Sequence, residues 1–301
     1  MTLILDGRIV SKKIKEWISA SVGSNEERYG WVPGMVTVQV GENPASDRYI
    51  RSQLKASIDV GINARLEKFD SDITKEDFLK RLAAIGRDRE VDGIILQTPF
   101  PVGWKMEEII NGLPSEKDVE GVHPENLGRL FLGEKGIPLP CTAWAAVSLL
   151  EWYGKSSFEQ NRCAVIGRSP NVGRAAALML MHRQGTVTVC HTRTSPEQMR
   201  EIISGSDVVV AAAGVAGIID PQILPPHSWV VDVGTNVTED GKLVGDVAKG
   251  AEGRVAALSP VPGGVGPVTV SLLLANLLLC ATKRRLGKSL LLPDLKKLRE
   301  E

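Results

Sequence analysis

Three features of this 301-residue chain predict an α/β protein of two domains. Strand and helix patterns alternate almost from end to end, the order that parallel sheets covered by helices require. A polar stretch, residues 154–161, separates one such series from a second. The length also allows each half a sizeable core of its own.

In the first series, Met35 to Val40 reads as a strand, Pro44 to Val60 as a helix and Ala64 to Phe69 as a second strand. Lys75 to Arg87 follows as a helix opening on an acidic turn. Gly93 to Gln97 is a third strand, stopped by Pro99 and Pro101. Trp104 to Asn111 is a short helix, and Thr142 to Tyr153 a longer one with Thr142 as its N-cap. In the second series, the apolar strand Cys163 to Ile166 leads through a turn into a helix over Val172 to Arg183. Thr186 to Cys190 is β-branched, Ser195 to Ser204 helical, and Val208 to Ala212 and Trp229 to Val233 are strands. This βαβαβ order is the layout of a Rossmann-like, mononucleotide-binding parallel sheet. Pro267 opens a long apolar helix to about Arg285, whose Arg284 and Arg285 suit its C-terminal dipole. The charged tail from Leu291 to Glu301 reads as a short or frayed surface helix.

Charge and cysteine usage narrow the function classes. Lys+Arg and Asp+Glu stand at 36 each, so no net field exists to hold nucleic acid or an anionic membrane, and any anion site must be local. Cys141, Cys163, Cys190 and Cys280 show no metal-ligand spacing, and we expect them reduced in a cytoplasmic protein. The four histidines form no ligand pair, so no metal is expected. Asp6 and Arg8 interrupt the N-terminal apolar stretch, which argues against a signal peptide. The longest apolar run, Val268 to Thr282, falls short of the roughly 20 residues of a membrane span.

The turn Gly167-Arg168-Ser169-Pro170-Asn171-Val172-Gly173 carries the first chemistry. It lacks the full G-x-G-x-x-G pattern. It nevertheless follows a strand and opens a helix near Asn171, where N-terminal amides can hold a phosphate. An NAD site places a carboxylate about 20 residues on, for the ribose 2′-hydroxyl. Here the second strand ends Cys190-His191-Thr192-Arg193-Thr194, without an acid. Arg168, Thr192 and Arg193 offer guanidinium and hydroxyl donors suited to a 2′-phosphate, which favours NADP.

Several stretches occur together and in order: Gly41 to Ile50, Gln97-Thr-Pro-Phe-Pro101, Lys117 to Gly121, Pro140-Cys-Thr142, Gly167-Arg-Ser169, Asp232-Val-Gly234, Gly245-Asp246-Val247 and Pro260 to Pro267. From about residue 3 to residue 285 the chain resembles the bifunctional methylenetetrahydrofolate dehydrogenase/cyclohydrolase (FolD) family. The resemblance implies two α/β domains around a cleft: a folate-binding catalytic domain, 1–141, and an NADP-binding Rossmann-like domain, 142–301. The helix 267–285 would pack back on the first. It also implies a homodimer through the nucleotide domains and tetrahydrofolate one-carbon derivatives as substrates. Substrate residues carried over are Tyr49, Gln97, Glu120, Pro262, Gly263 and Gly264, with Tyr49, Gln53 and Gln97 in catalytic positions. Cofactor residues are Gly167, Arg168, Ser169, Thr192, Arg193, Gly214 and Thr235.

Two positions depart from that family. Four residues after the tyrosine, on the same helix face, the usual lysine is Gln53. Lys55 lies about 200° around a helix from that position and cannot replace it. At Glu120 the family usually has an aspartate that hydrogen-bonds the pterin. Smaller departures are Thr98, Ala143, and Thr235 where a nicotinamide-contacting isoleucine is usual. Hydride loss from methylene-tetrahydrofolate needs no protein acid or base, only orientation. Hydration of the methenyl product needs protons moved, and a glutamine amide does not titrate. The expectation is therefore a dehydrogenase without cyclohydrolase activity. Its alternatives are the usual bifunctional enzyme, with another group or bulk water replacing the lysine, and a non-catalytic folate- or nucleotide-binding relative.

Overall fold

The computed structural model describes residues 1–292 and 295–300, with side chains for all of these except residues 44, 45 and 48. The elements run β1 (Leu3–Ile4), α1 (Gly7–Tyr29), β2 (Gly34–Val40), α2 (Pro44–Asp59), β3 (Asn63–Phe69), α3 (Lys75–Arg87), β4 (Gly93–Leu96), α4 (Met106–Ile110), α5 (Pro124–Phe131) and α6 (Cys141–Trp152). They continue with β5 (Arg162–Ile166), α7 (Ala175–Met181), β6 (Thr186–Cys190), α8 (Pro196–Ser204), β7 (Val208–Ala211), β8 (Trp229–Asp232), β9 (Asn236–Val237), β10 (Leu243–Val244), β11 (Ala257–Leu258), α9 (Val265–Leu286) and α10 (Leu295–Glu300). The chain divides into two compact units. A three-stranded unit takes Ile14–Leu139 and Leu273–Leu292; a six-stranded unit takes Met1–Lys13, Pro140–Leu272 and α10.

In the three-stranded unit the parallel order is β3-β2-β4, with β2 central and buried along its whole length. Strand residues alternate between faces. Val36, Val38 and Val40 join Ile94 and Leu96 in one core with Phe78, Leu82 and Ile85 of α3. Phe78 meets the rings of Phe69 and Phe100 edge-on, 5.6 and 5.8 Å away, a favoured arrangement of aromatic quadrupoles. The other face of β2 carries Met35, Thr37 and Gln39. Helix α3 starts where Thr74 accepts the Asp77 amide at 3.1 Å, with Glu76 and Asp77 in its first turn. The buried Asp92 accepts the Gly34 amide at 2.9 Å and is gripped by Arg284 and Arg285. Those arginines thus serve a buried carboxylate before any helix dipole.

The six-stranded unit has the all-parallel order β1-β11-β8-β7-β5-β6. Ala164, Ile166, Val209, Ala211 and Val230 line a core shared with Ile203 of α8. β9 and β10 form a separate antiparallel pair. Ser195 and Gln198 cap α8 reciprocally, each accepting from the other's backbone.

The structure differs from the sequence reading in several places. Helix α1 and the two-residue strands β1 and β11 are additions, as is α5, opened by His123 and Pro124. Thr142 is not an N-cap: α6 starts one residue earlier, with Pro140 at the cap and no side-chain cap bond. The helix expected over 172–183 is split, with a wide turn at Pro170–Arg174 before α7. Of the C-terminal tail, Leu295–Glu300 is helical, and residues 293, 294 and 301 lie outside the described residues. Helix α9 is longer than its apolar run suggested. At 22 residues it is long and apolar enough to cross a membrane, yet 78% of its most apolar window is buried, as in the core helix of a globular protein.

Candidate functional site

In the three-stranded unit, the C-terminal ends of β2 and β4 and the adjoining turns of α2 gather the substrate candidates. Ser46 Oγ donates to the Thr98 carbonyl at 3.0 Å, tying the start of α2 to the segment after β4. Gln39 Nε2 donates to Asp47 at 2.9 Å, tying α2 to β2. Gln97 follows β4, its amide donating to the Thr98 carbonyl at 2.9 Å, and the Thr98–Pro99 bond is cis. Tyr49 and Gln53 lie one turn apart on α2 but in different surroundings: Tyr49 is 41% exposed, Gln53 0%. Neither amide atom of Gln53 has a hydrogen-bond partner among the described residues. The same holds for Thr37 Oγ1 and Gln39 Oε1, on the α2-facing side of β2. Lys55 points to solvent and pairs with Asp59 at 2.9 Å.

Glu120 follows a segment bridged to β4 at Ile94 and Asp118. Burial, with the Asp118 carboxylate beside it, pushes its carboxyl up to about 7, against a backbone hydrogen bond from Leu96 that favours the charged form. Asp118 itself accepts the His123 amide at 2.7 Å and Asn126 Nδ2 at 2.9 Å, so its role is to shape the loop.

The remaining substrate candidates lie in the six-stranded unit. Gly263 takes φ +108°, and the Val261–Pro262 bond is cis. The Gly7 amide donates to the Gly263 carbonyl at 2.9 Å, and the Gly264 amide to Pro260 at 2.8 Å. The loop lies so close to the start of α1 that a Cβ on Gly7 would stand 1.8 Å from the Gly264 carbonyl oxygen.

The cofactor candidates sit at the C-terminal ends of β5, β6, β7 and β8, where ligands bind in open parallel sheets. Gly167 has φ +129°, and a Cβ there would meet the Ala212 carbonyl at 2.0 Å; one on Gly173 would meet the Gly167 carbonyl at 2.1 Å. Side chains are therefore excluded at both glycine positions. Ser169 accepts the Gly173 amide at 3.5 Å, while the amides of Asn171 and Val172 have no partner among the described residues. Ile166 and Cys190 are register partners, so Arg168 and Arg193 leave adjacent strands two and three residues later. Both guanidinium groups are exposed and without partners among the described residues.

Two aspartates given no role by the sequence reading build the rest of this end. Asp232 accepts the amides of Gly234, Asp246 and Val247 at 2.8–2.9 Å, and burial still raises its pKa. Asp246 accepts the amides of Ala213 and Gly214 at 2.6 and 2.9 Å and Asn236 Nδ2 at 3.0 Å. The Gly214 and Thr235 turns are thereby fixed to one buried carboxylate. A Cβ on Gly234 or Gly245 would collide with these carboxylates, at 2.2 and 2.0 Å, which explains glycine at both places. The Asp-x-Gly and Gly-Asp pairs were the available signal. All four cysteines are buried free thiols, and burial pushes Cys163 up to about 11. Among the described residues no His, Cys, Asp and Glu group could hold a metal ion.

Two family models match the chain. The catalytic domain of tetrahydrofolate dehydrogenase/cyclohydrolase covers residues 5–120, and its NAD(P)-binding domain covers residues 140–285. A bifunctional FolD protein of Acidovorax sp. (strain JS42) is 37% identical over 281 residues, 93% of this chain and 98% of the relative. The chain belongs to the tetrahydrofolate dehydrogenase/cyclohydrolase (FolD) family. Solved FolD structures agree. The bifunctional enzyme from Campylobacter jejuni superposes with a TM-score of 0.91 at 34% identity, covering 94% of this chain and all of its own. The FolD of Trypanosoma brucei, complexed with NADP cofactor and inhibitor, gives 0.88 at 33% identity over 94% and 98% of the two chains. The NAD(P)-binding family model and the FolD complexed with NADP support NADP as the cofactor.

Proposed function

We propose that this chain is an NADP-dependent 5,10-methylenetetrahydrofolate dehydrogenase with little or no methenyltetrahydrofolate cyclohydrolase activity. The observation carrying this is Gln53, a neutral amide fully buried and without a partner at the position where the family usually has lysine. The nicotinamide, when bound, supplies the hydride acceptor. Arg168, Thr192 and Arg193 hold the 2′-phosphate, the Gly167–Ser169 turn takes the pyrophosphate, and Gly214 and Thr235 border the nicotinamide end. Tyr49, Gln97 and Glu120 hold the folate.

Orientation alone suffices for hydride departure, because the folate nitrogen lone pair expels it. Hydration of the methenyl cation requires a proton to leave water, a task for which a positioned acid or base contributes about 10²–10⁴-fold. Gln53 donates and accepts hydrogen bonds but exchanges no proton near neutrality. The purified protein given methylene-tetrahydrofolate and NADP should accumulate the methenyl product, with hydrolysis no faster than in buffer. Enzyme-dependent hydrolysis at a rate comparable with hydride transfer would sink this reading. Arg193→Asp should weaken NADP far more than NAD.

One observation favours the bifunctional reading: Glu120, pushed up to about 7, is a carboxylate whose basicity suits taking a proton from water. Under that reading Glu120→Gln abolishes a hydrolysis that the unmodified protein performs. The resemblance further supports a homodimer, and the four buried free thiols suit a reducing cytoplasm; sedimentation of the purified protein checks the first.

A further inference from the structure

The turn after β6 is closed by its own side chains. His191 donates its backbone amide to Thr194 Oγ1 at 3.0 Å and accepts the Thr194 amide on its carbonyl at 2.8 Å. The Arg193 amide donates to His191 Nδ1 at 3.1 Å. The Ser195 amide donates to Gln198 at 3.3 Å. Of the amides from 191 to 195, only that of Thr192 lacks a partner among the described residues. The turn consumes its donors internally and leaves outward the Thr192 amide, the Thr192 hydroxyl and the Arg193 guanidinium. That is a donor set for an anion.

We infer that His191 is a positioning residue for recognition of the cofactor's 2′-phosphate. It acts as an asparagine does in an Asx-turn, its side chain accepting the amide two residues on. An acceptor at Nδ1 requires the ring proton on Nε2, so the neutral imidazole is the form that holds the turn. Without that acceptor, the Arg193 amide turns to solvent and residues 192 and 193 sample more conformations. The entropy of ordering them then falls on phosphate binding. NAD carries no phosphate there, so its affinity does not depend on the order of this turn. The inference rests on the assignment of Arg168 and Arg193 to the 2′-phosphate.

Two replacements of His191 separate loss of the acceptor from loss of the ring. Asparagine places Oδ1 on Cγ where histidine places Nδ1, so it preserves the bond to the Arg193 amide; alanine does not. Dissociation constants for NADP and NAD, measured calorimetrically on the full-length protein, test this with wild type, His191→Ala and His191→Asn. We expect His191→Ala to weaken NADP about tenfold and leave NAD within twofold. His191→Asn should return NADP to within about twofold of wild type. Unchanged NADP affinity in His191→Ala overturns the inference, as does equal loss of NADP and NAD, or failure of His191→Asn to restore binding. A wild type that binds NADP no better than NAD would instead overturn the 2′-phosphate assignment beneath it.

Discussion

The turns around Asp232 and Asp246 in the six-stranded unit and the α2–β2 layer of the three-stranded unit handle their buried polar atoms in opposite ways. In the six-stranded unit, Asp232 and Asp246 each receive three protein donors and hold the turns around them. In the three-stranded unit, Gln53, Thr37 and Gln39 keep buried polar atoms without protein partners. A buried donor or acceptor left unmade costs about 1–3 kcal/mol. Ser148 Oγ and Asn161 Oδ1 of the six-stranded unit also lack partners among the described residues, so the contrast holds between these two regions and not between the whole units. Gln53 and Glu120, which the sequence resemblance marks as departures, both lie in the three-stranded unit.

This contrast breaks first at Asp246. Removing its carboxylate by Asp246→Ala orphans two backbone amides and the Asn236 amide, so destabilisation of about 3 kcal/mol or more is expected in urea titration. Asp246→Asn should cost much less, since its oxygen can still accept the two amides and Asn236 can turn its own oxygen to the new NH₂. A small effect of the alanine variant would show that the six-stranded unit does not depend on this framework.

Glu120 gives the next largest effect, and its sign depends on pH. Burial pushes its folded carboxyl up to about 7, above the ordinary 4.5, so the folded state binds more protons than the unfolded chain between those values. Stability is then highest below about 4.5 and falls as pH rises through 7. Glu120→Gln should remove that slope and make the ligand-free protein more stable at pH 8 by about 1–3 kcal/mol. Melting temperatures of the two proteins that differ equally at pH 5 and pH 8 would place Glu120 in a watery setting instead.

Gln53→Met should stabilise the ligand-free protein by about 1–2 kcal/mol, because an apolar side chain of similar shape replaces two unpartnered polar atoms. The same change should raise the folate KM. If it destabilises instead, the amide already has partners, and the contrast between the two regions loses its main support. Lys55→Ala is the control on the opposite side of α2. Its exposed pair with Asp59 is worth no more than about 0.5 kcal/mol, and neither stability nor folate KM should move measurably.

Sequence periodicity reached the long elements because their packing is local. Lys75–Arg87 and Thr186–Cys190 fall where the pattern puts them. Helix α1 escaped despite buried Val10, Ile14, Ile18 and Val22 at four-residue spacing. That stripe is one residue per turn, and the helix opens on Gly7 with no acid in its first turn. Strands β1 and β11 are two residues long and exist only through each other and β8. At the candidate site, residue types and positions were legible in the sequence, Gln53 among them. Its complete burial was not, since that depends on β2 and the opposite face of α2. Nor were the three donors to each of Asp232 and Asp246, which come from turns brought together only by the sheet. Thr37 and Gln39 were in view as polar residues at alternate places in an otherwise apolar strand, a pattern that deserved a question.

The grip on Asp92 has a consequence for how the chain comes into being. All three strands around it are synthesised by residue 96, yet Arg284 lies 192 residues after Asp92 and Arg285 one beyond that. A nascent chain that has finished this sheet carries an acid at its heart with no counter-charge. Docking of this end of α9, including the stacking of Arg285 on Trp31 at 5.1 Å, must wait until residue 285 has been made. Trimming the chain before Arg284 would leave that acid permanently stranded, so the extreme end of α9 decides whether the beginning can stay folded.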